Sequence, residues 1–305
     1  MKKHSVLAIV LCYNSSKYIG ACIKALHNTE RVDILVIDNA STDETVTTLR
    51  NIQTKYKFQL KCQGANLGYA GGNNIGLRYA MKNDYEFAFI VNPDVITNKL
   101  ALDELVETLR KNKKIAAASP LITYADKKTI WYAGARIHPD RFEPSIEAYR
   151  HPLSSITDRG LREVDSLIGA AMLIRISTLS RVGLMDERYF LYCEETDWSL
   201  LFKQEGFTLI CNRNAVMLHD VSSSTGGEGS ILQIYYYTRN ILLLCSKFAP
   251  SLLGEQLTFR KKVMYGELKA YFKHPFSYAH LHKAIVMRKA IADFKAGKFG
   301  KQKIT

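Results

Sequence analysis

Three acids fall within four positions in "FLYCEETDW": Glu194, Glu195 and Asp197. They enter a helical stretch whose apolar side is Trp198, Leu201 and Phe202. Acids compensate the positive end of a helix, but three exceed that need. The aromatic run "YFLY" (189–192) in front of them would exclude water. Desolvation and mutual repulsion raise a carboxylate's pKa, which suits a general base.

A fourth acid, Asp94, ends the apolar run of "FAFIVNPDVIT". Asn92-Pro93 is turn chemistry. A carboxylate at the carboxyl end of a buried strand is also where open α/β sheets hold ligands. His219, in "VMLHD", follows another apolar run. A lone histidine has many structural uses. Paired with Asp94 at a strand end, it could instead share a hard divalent metal, with diphosphate oxygens as further ligands.

Two more apolar runs end in polar residues, at Cys12-Tyr13-Asn14 and at Asp38-Asn39. Asp38 is placed either to hydrogen-bond a base or ribose, or to cap the helix that "DNASTDE" opens. "GANLGYAGGNNIG" (64–76) holds more Gly and Asn than a plain turn needs. Glycine permits close backbone approach, and asparagine tolerates left-handed backbone while offering donors. The spacing matches neither a dinucleotide fingerprint nor a Walker loop.

The elements that must position these residues alternate over the first 120 positions. Buried strands are expected at 5–13 and 33–41, a short third strand at 58–62 and a fourth at 85–92, and helices at 17–28, from Ser41 or Thr42 to about 55, at 71–82 and at 98–112. Repeated β-α units call for a parallel sheet covered on both faces. In such a sheet the ends at Tyr13, Asp38 and Asp94 share one edge, and the helix after the Gly-rich turn points its N-terminus there as an anion site. A later block repeats the texture, with a strand at 165–176, a helix near 195–205 and a strand at 207–220. The Gly/Ser-rich seam "SSSTGGEGS" (222–230) then divides a catalytic domain, 1–230, from a basic, mainly helical region, 231–305.

That division follows the charge. The chain carries a formal +13, of which residues 231–305, with 14 Lys/Arg against 3 Asp/Glu, supply +11. Met264, Leu268, Tyr271 and Phe272 recur at helical spacing among lysines, a pattern for an anionic membrane surface or for a solvated basic face. Arg239 is a candidate contact to a diphosphate. No recognised nucleic-acid module is present. "MKKHSVLAIVLCYNSS" resembles an export signal, but no small-x-small site follows cleanly and a capped helix continues, so it is read as the first strand. No stretch approaches the ~18 apolar residues that span a bilayer. Six scattered cysteines without metal-finger spacing suit reduced core thiols in the cytoplasm.

In order, "VLCYNSSKYI", "ILVIDNASTD", "NLGYAGGNNIGL", "IVNPDV", "LIGAAMLIR", "FLYCEETDW" and "LHD" resemble glycosyltransferase family 2, the inverting enzymes of GT-A fold, and most closely its bacterial rhamnosyltransferase-like branch. The resemblance spans about residues 5–220. It implies a Rossmann-like, mostly parallel α/β sheet flanked by helices, and a sugar transferred from a dTDP- or UDP-linked donor to a lipid-linked or growing cell-surface glycan. It further implies a Mg²⁺ or Mn²⁺ ion on Asp94 and His219, with Asn92 where the family's metal motif has its first aspartate. Donor contacts are implied at Tyr13, Asn14, Asp38, Asn66, Gly68, Gly71, Asn73, Asn92 and Asp94. Glu195 is implied as the base, with Glu194 its rival. Many relatives extend polyprenyl-diphosphate glycans, which places the chain at the inner face of the cell membrane.

Rhamnose rests on the resemblance alone, and a UDP-hexose or UDP-galactofuranose donor fits the same chemistry. A nicotinamide-dependent oxidoreductase would need G-x-G-x-x-G after the first strand, which "LCYNSSKYIG" lacks. A membrane-tethered scaffold with an inactive transferase fold is the non-enzymatic alternative, and Asp38, Asp94, Glu195 and His219 argue against it.

Overall fold

The computed structural model describes residues 5–220, 229–273 and 278–304. Most of the Gly/Ser-rich seam lies outside the described residues. The first half runs β1 (Val6–Cys12), α1 (Ile19–His27), β2 (Val32–Asp38), α2 (Thr45–Ile52), β3 (Gln59–Cys62), α3 (Gly68–Lys82), β4 (Phe87–Val91), β5 (Val95–Ile96) and α4 (Lys99–Lys111). There follow β6 (Ile115–Tyr124), β7 (Ile130–Tyr132), β8 (Ala135–Ile137), β9 (Pro144–Ile146), β10 (Leu161–Glu163), β11 (Ala171–Arg175), α5 (Leu179–Val182), α6 (Glu194–Gln204) and β12 (Thr208–His219). Three helices close the chain: α7 (Ile231–Phe248), α8 (Leu253–Lys273) and α9 (Tyr278–Lys295).

The large sheet has the order β10-β12-β6-β11-β4-β1-β2-β3, with β5 added to β12 and β7 to β6. Strands β3, β2, β1 and β4 are parallel, as the β-α alternation requires. Strand β11 enters antiparallel between β4 and β6, while β12 runs parallel to β6. All five residues of β4 are buried, the continuous apolar run of a strand covered on both faces. Helices lie over the sheet, giving the α/β architecture expected.

The Gly-rich segment differs from its reading as a turn. Helix α3 starts at Gly68, three residues before the expected Gly71, and its Gly72 and Gly76 face the sheet. A Cβ at Gly72 would come within 2.3 Å of Leu11, and one at Gly76 within 2.5 Å of Ile9. One turn apart, they let the helix backbone lie directly on β1. Gly68 has φ +76°, and a Cβ there would sit 2.2 Å from the Phe190 carbonyl oxygen.

Helix α2 starts at Thr45, and neither Ser41 nor Thr42 caps it. Ser41 Oγ instead accepts the Asn14 backbone N–H at 2.9 Å, and the Thr42 N–H donates to Asn14 Oδ1 at 2.8 Å. The loops after β1 and β2 are thereby tied together. Helices α7, α8 and α9 pack on one another. Ile241, Leu242 and Ile291 share a buried cluster with Tyr189 and Cys193, which precede the acid pair. No helix among the described residues is long and apolar enough to cross a membrane.

Candidate active site

The segment "NPD" forms a turn at the end of β4. Asn92 makes the turn: its N–H donates to Ala170 O at 2.9 Å, and its carbonyl accepts from Val95 N–H at 3.1 Å. Asp94 is buried and faces His219, with 3.1 Å between Oδ1 and Nε2. Backbone pairing brings the two together across the chain. Val95 pairs with His219, and the Asp220 N–H donates to Asp94 O at 2.9 Å. Trp131 packs its ring edge-on against the imidazole, centroids 4.3 Å apart.

This pair suits a cation. His219 is buried; Nε2 meets Asp94, while Nδ1 has no hydrogen-bond partner among the described residues, which buried polar groups rarely tolerate. Two cis ligands of an octahedral ion, each at about 2.1 Å, stand about 3.0 Å apart, close to the separation found. Among the described residues no cluster of three His, Cys, Asp or Glu side chains forms. Any remaining ligands would be diphosphate oxygens or water.

The neighbouring strand ends line the same edge. Asp38 is buried; its Oδ2 accepts the Ser41 N–H at 3.1 Å, while Oδ1 has no hydrogen-bond partner among the described residues. One carboxylate oxygen thus shapes the loop while the other stays unengaged by it. Tyr13 is 37% exposed at the end of β1, and Asn14, at φ +51°, is fixed by Ser41 and Thr42. Asn66 Oδ1 accepts from the Gly68 N–H at 2.8 Å and from the Asn39 amide at 3.1 Å. Asn39, absent from the sequence candidates, also donates to Gly68 O and accepts the Leu67 N–H, both at 3.0 Å. Its signal was a second polar residue at the end of β2. Gly71 approaches the Glu187 carboxylate, and Asn73, fully buried, donates to Tyr69 O at 3.0 Å with Oδ1 unpartnered among the described residues.

The acid pair opens α6, behind a left-handed Cys193 at φ +73°. Hydrogen bonds connect this helix to the turn after β4. Ser199 Oγ accepts the Leu167 N–H at 3.0 Å and donates to Glu195 O at 2.6 Å, and Ser166 Oγ donates to Thr196 Oγ1 at 3.1 Å. The same segment continues through Gly169, whose carbonyl accepts the Tyr69 hydroxyl, and Ala170, which holds Asn92. Helix α6, the turn at Gly169 and the turn at Asn92 are therefore joined by hydrogen bonds.

Glu194 is buried, and Glu195 is half-buried. Burial, and then repulsion from Glu195, hold the Glu194 carboxyl well above the carboxylate range. Burial pushes Glu195 up to about 7 against the lowering effect of its own backbone N–H. Glu195 is the more accessible of the two.

Asp197 does not join them. Its Oδ2 accepts the Tyr189 hydroxyl at 2.7 Å and is paired with Lys247 of α7, which also reaches Asp186 at 3.1 Å. The third acid is a structural ion pair, not part of a catalytic cluster. Arg239, expected to be available to a diphosphate, is fully buried and donates to Gly300 O at 2.7 Å, Tyr189 O at 2.8 Å and Arg188 O at 3.2 Å. Every nitrogen is engaged, so the guanidinium is a backbone clamp. The sequence signal for that role was a polar pair, "RN", inside the apolar run of "YYYTRNILLL".

Comparison with known proteins identifies the family and the fold. The family model described as Glycosyl transferase family 2 matches residues 7–183. An N-acetylglucosaminyl-diphospho-decaprenol L-rhamnosyltransferase of Mycobacterium tuberculosis is 30% identical over 220 residues, covering 66% of this chain and 70% of the relative. The dTDP-rhamnosyl transferase RfbF of Shigella flexneri is 23% identical over 271 residues, covering 82% and 83%. Among solved structures, mannosyltransferase PcManGT from Pyrobaculum calidifontis, in complex with GDP-Man and Mn²⁺, aligns with a TM-score of 0.57 at 16% identity, over 97% of this chain and 75% of that one. S. aureus TarS 1–349 in complex with UDP-GlcNAc aligns at 0.56 and 16% identity, over 100% and 95%. These two share the fold.

Proposed function

The chain belongs to glycosyl transferase family 2 and is a glycosyltransferase; we propose that it transfers L-rhamnose from dTDP-rhamnose, with inversion, to a hydroxyl of a lipid-linked or growing cell-surface glycan. The observation that carries this reading is the buried Asp94–His219 pair at the edge where the parallel strands end. Rhamnosyl transfer in the named relatives supports the sugar, and the diphospho-decaprenol in one relative's name supports the acceptor class.

Asp38, Tyr13 and Asn14 receive the base and ribose, and the N-terminal turn of α3, with Gly68, Gly71 and Asn73, faces the donor. Asp94 and His219 would hold Mg²⁺ or Mn²⁺, which supplies positive charge to the departing diphosphate; Mn²⁺ in the neighbouring structures supports that choice. Glu195 takes the proton from the acceptor hydroxyl as its oxygen bonds to the anomeric carbon. The bond from that carbon to the diphosphate breaks, nucleoside diphosphate leaves, and a single displacement inverts the centre. No covalent intermediate is needed.

The deciding experiment is turnover of dTDP-rhamnose, UDP-galactofuranose, UDP-glucose and UDP-N-acetylglucosamine with and without Mg²⁺ or Mn²⁺. Metal-stimulated release of dTDP alone is expected. Release from a UDP-sugar instead would discard rhamnose and keep the mechanism. A folded chain that turns over none of them would return the inactive scaffold.

The reading extends to location, at the cytoplasmic face of the membrane that carries the acceptor. Phe272 and Tyr278, each 72% exposed, stand at the facing ends of α8 and α9, with Tyr265 and Ile285 also exposed. Lys261, Lys262, Lys269 and Lys273 are exposed on α8. Exposed aromatic rings among cations suit the headgroup layer of an anionic bilayer. We expect co-sedimentation with phosphatidylglycerol vesicles that is lost at high salt and in Lys269→Glu/Lys273→Glu. Binding that is absent, or equal on neutral vesicles, would reject the surface.

A further inference from the structure

Residues 188–193 deliver the acid pair through an unusual piece of backbone. Phe190, Tyr192 and Cys193 have φ of +65°, +68° and +73°, the left-handed region that non-glycine residues occupy only when surrounding contacts impose it. The contacts that impose it come mainly from α7. The buried Asn240 amide donates to the carbonyls of Tyr189 at 2.9 Å, and of Leu191 and Tyr192 at 2.8 Å. Its Oδ1 accepts from Arg239 Nε at 2.9 Å, which fixes the orientation of the amide. Arg239 adds bonds to the carbonyls of Arg188 and Tyr189. The remaining carbonyl, of Phe190, accepts the Tyr69 N–H at 2.6 Å. All five consecutive carbonyls from 188 to 192 are thus occupied, four of them by two side chains of one helix. Two turns on, Lys247 ties Asp186 and Asp197 on either side of the same loop.

We propose that the Arg239–Asn240 pair is the positioning element for the general base: it holds the loop in its left-handed course and so sets where the Glu195 carboxylate meets the acceptor hydroxyl. This rests on the transferase reading for the base itself. It also makes α7, which lies beyond the matched family segment, a working part of the active site rather than an attachment.

The test compares Asn240→Ala and Arg239→Lys with wild type and with Glu267→Ala. Arg239→Lys keeps the charge and loses the Nε–H that orients Asn240, so it serves if Asn240→Ala does not fold. Glu267→Ala removes the His280 contact between α8 and α9. For the loop variants, kcat should fall on the order of 10²-fold, the loss that a misplacement of about 1 Å brings. The KM for the donor and Mn²⁺-dependent nucleotide binding should be unchanged, and the midpoint of the pH–rate profile should move. Backbone amides between 189 and 197 should exchange hydrogen faster, while those of β1 and β2 should not. Glu267→Ala should leave kcat and the pH midpoint alone. Loop variants with wild-type kcat and pH midpoint, or an equal loss of kcat in Glu267→Ala, would overturn the assignment. If wild type turns over no donor, the transferase reading fails, and the exchange comparison still decides the clamp. Unchanged protection of 189–197 in folded variants would refute it.

Discussion

Replacing Glu195 with glutamine is expected to lower kcat/KM by about 10²–10⁴-fold, the usual contribution of a positioned base, while nucleotide still binds with Mn²⁺. The wild-type rate should rise with pH through a midpoint near 7, where burial holds the Glu195 carboxyl, and not near the ordinary glutamate value. The same shift fixes the direction of a stability effect. In the folded chain the carboxyl keeps its proton more tightly than in the unfolded chain. Its contribution is therefore complete at low pH and is lost as pH rises through about 7. Glutamine never ionises there, so Glu195→Gln should be more resistant to urea than wild type at pH 8, with the gap closing by about pH 4.5. Transition midpoints at several pH values, read beside the rates, check both. If Glu194→Gln abolishes turnover and Glu195→Gln does not, the base is Glu194.

The second large effect belongs to the Asp94–His219 pair. Asp94→Asn and His219→Ala should each remove the metal-dependent part of donor binding and lower kcat on the order of 10²–10³-fold, as loss of a preorganised charge-stabilising group does. The side chains share one contact, so the double variant should lose little beyond either single one. Calorimetric titration of Mn²⁺ with nucleotide present, and turnover before and after chelation, provide the measurements. Turnover that survives chelation undiminished would remove the ion from the reaction and leave His219 a packing role against Trp131.

The parallel half of the fold was legible because its signal is local. Apolar runs such as that of β4 end in turn residues, with amphipathic helices between them, and the polar residues at those ends fall on one sheet edge. Residues 113–164 carry no such alternation. The three-residue strands β7, β8 and β9 are defined by partners, not by their own pattern. The Gly/Asn segment misled because composition cannot distinguish a flexible turn from a helix pressed on a strand. Only the approach of Gly72 to Leu11 and Gly76 to Ile9 separates them. Asp197 and Arg239 misled for a related reason. A buried charge is understood through its partner, and the partners are far away in sequence: Lys247 for Asp197, and the carbonyls of Arg188, Tyr189 and Gly300 for Arg239.

The position of β6 has a consequence for how the chain is made. Every residue of this strand but the last is buried, and both of its main neighbours, β11 and β12, come after it in sequence. A ribosome adding ~5–20 residues per second exposes β6 for on the order of 5–20 s before His219 emerges. Until β11 is made the strand has two largely open edges, and until β12 is complete it still has one, the condition that invites pairing with another chain. Fragments that stop between Tyr124 and His219 retain that condition permanently, so they should collect in the insoluble fraction of a cell while the full chain does not.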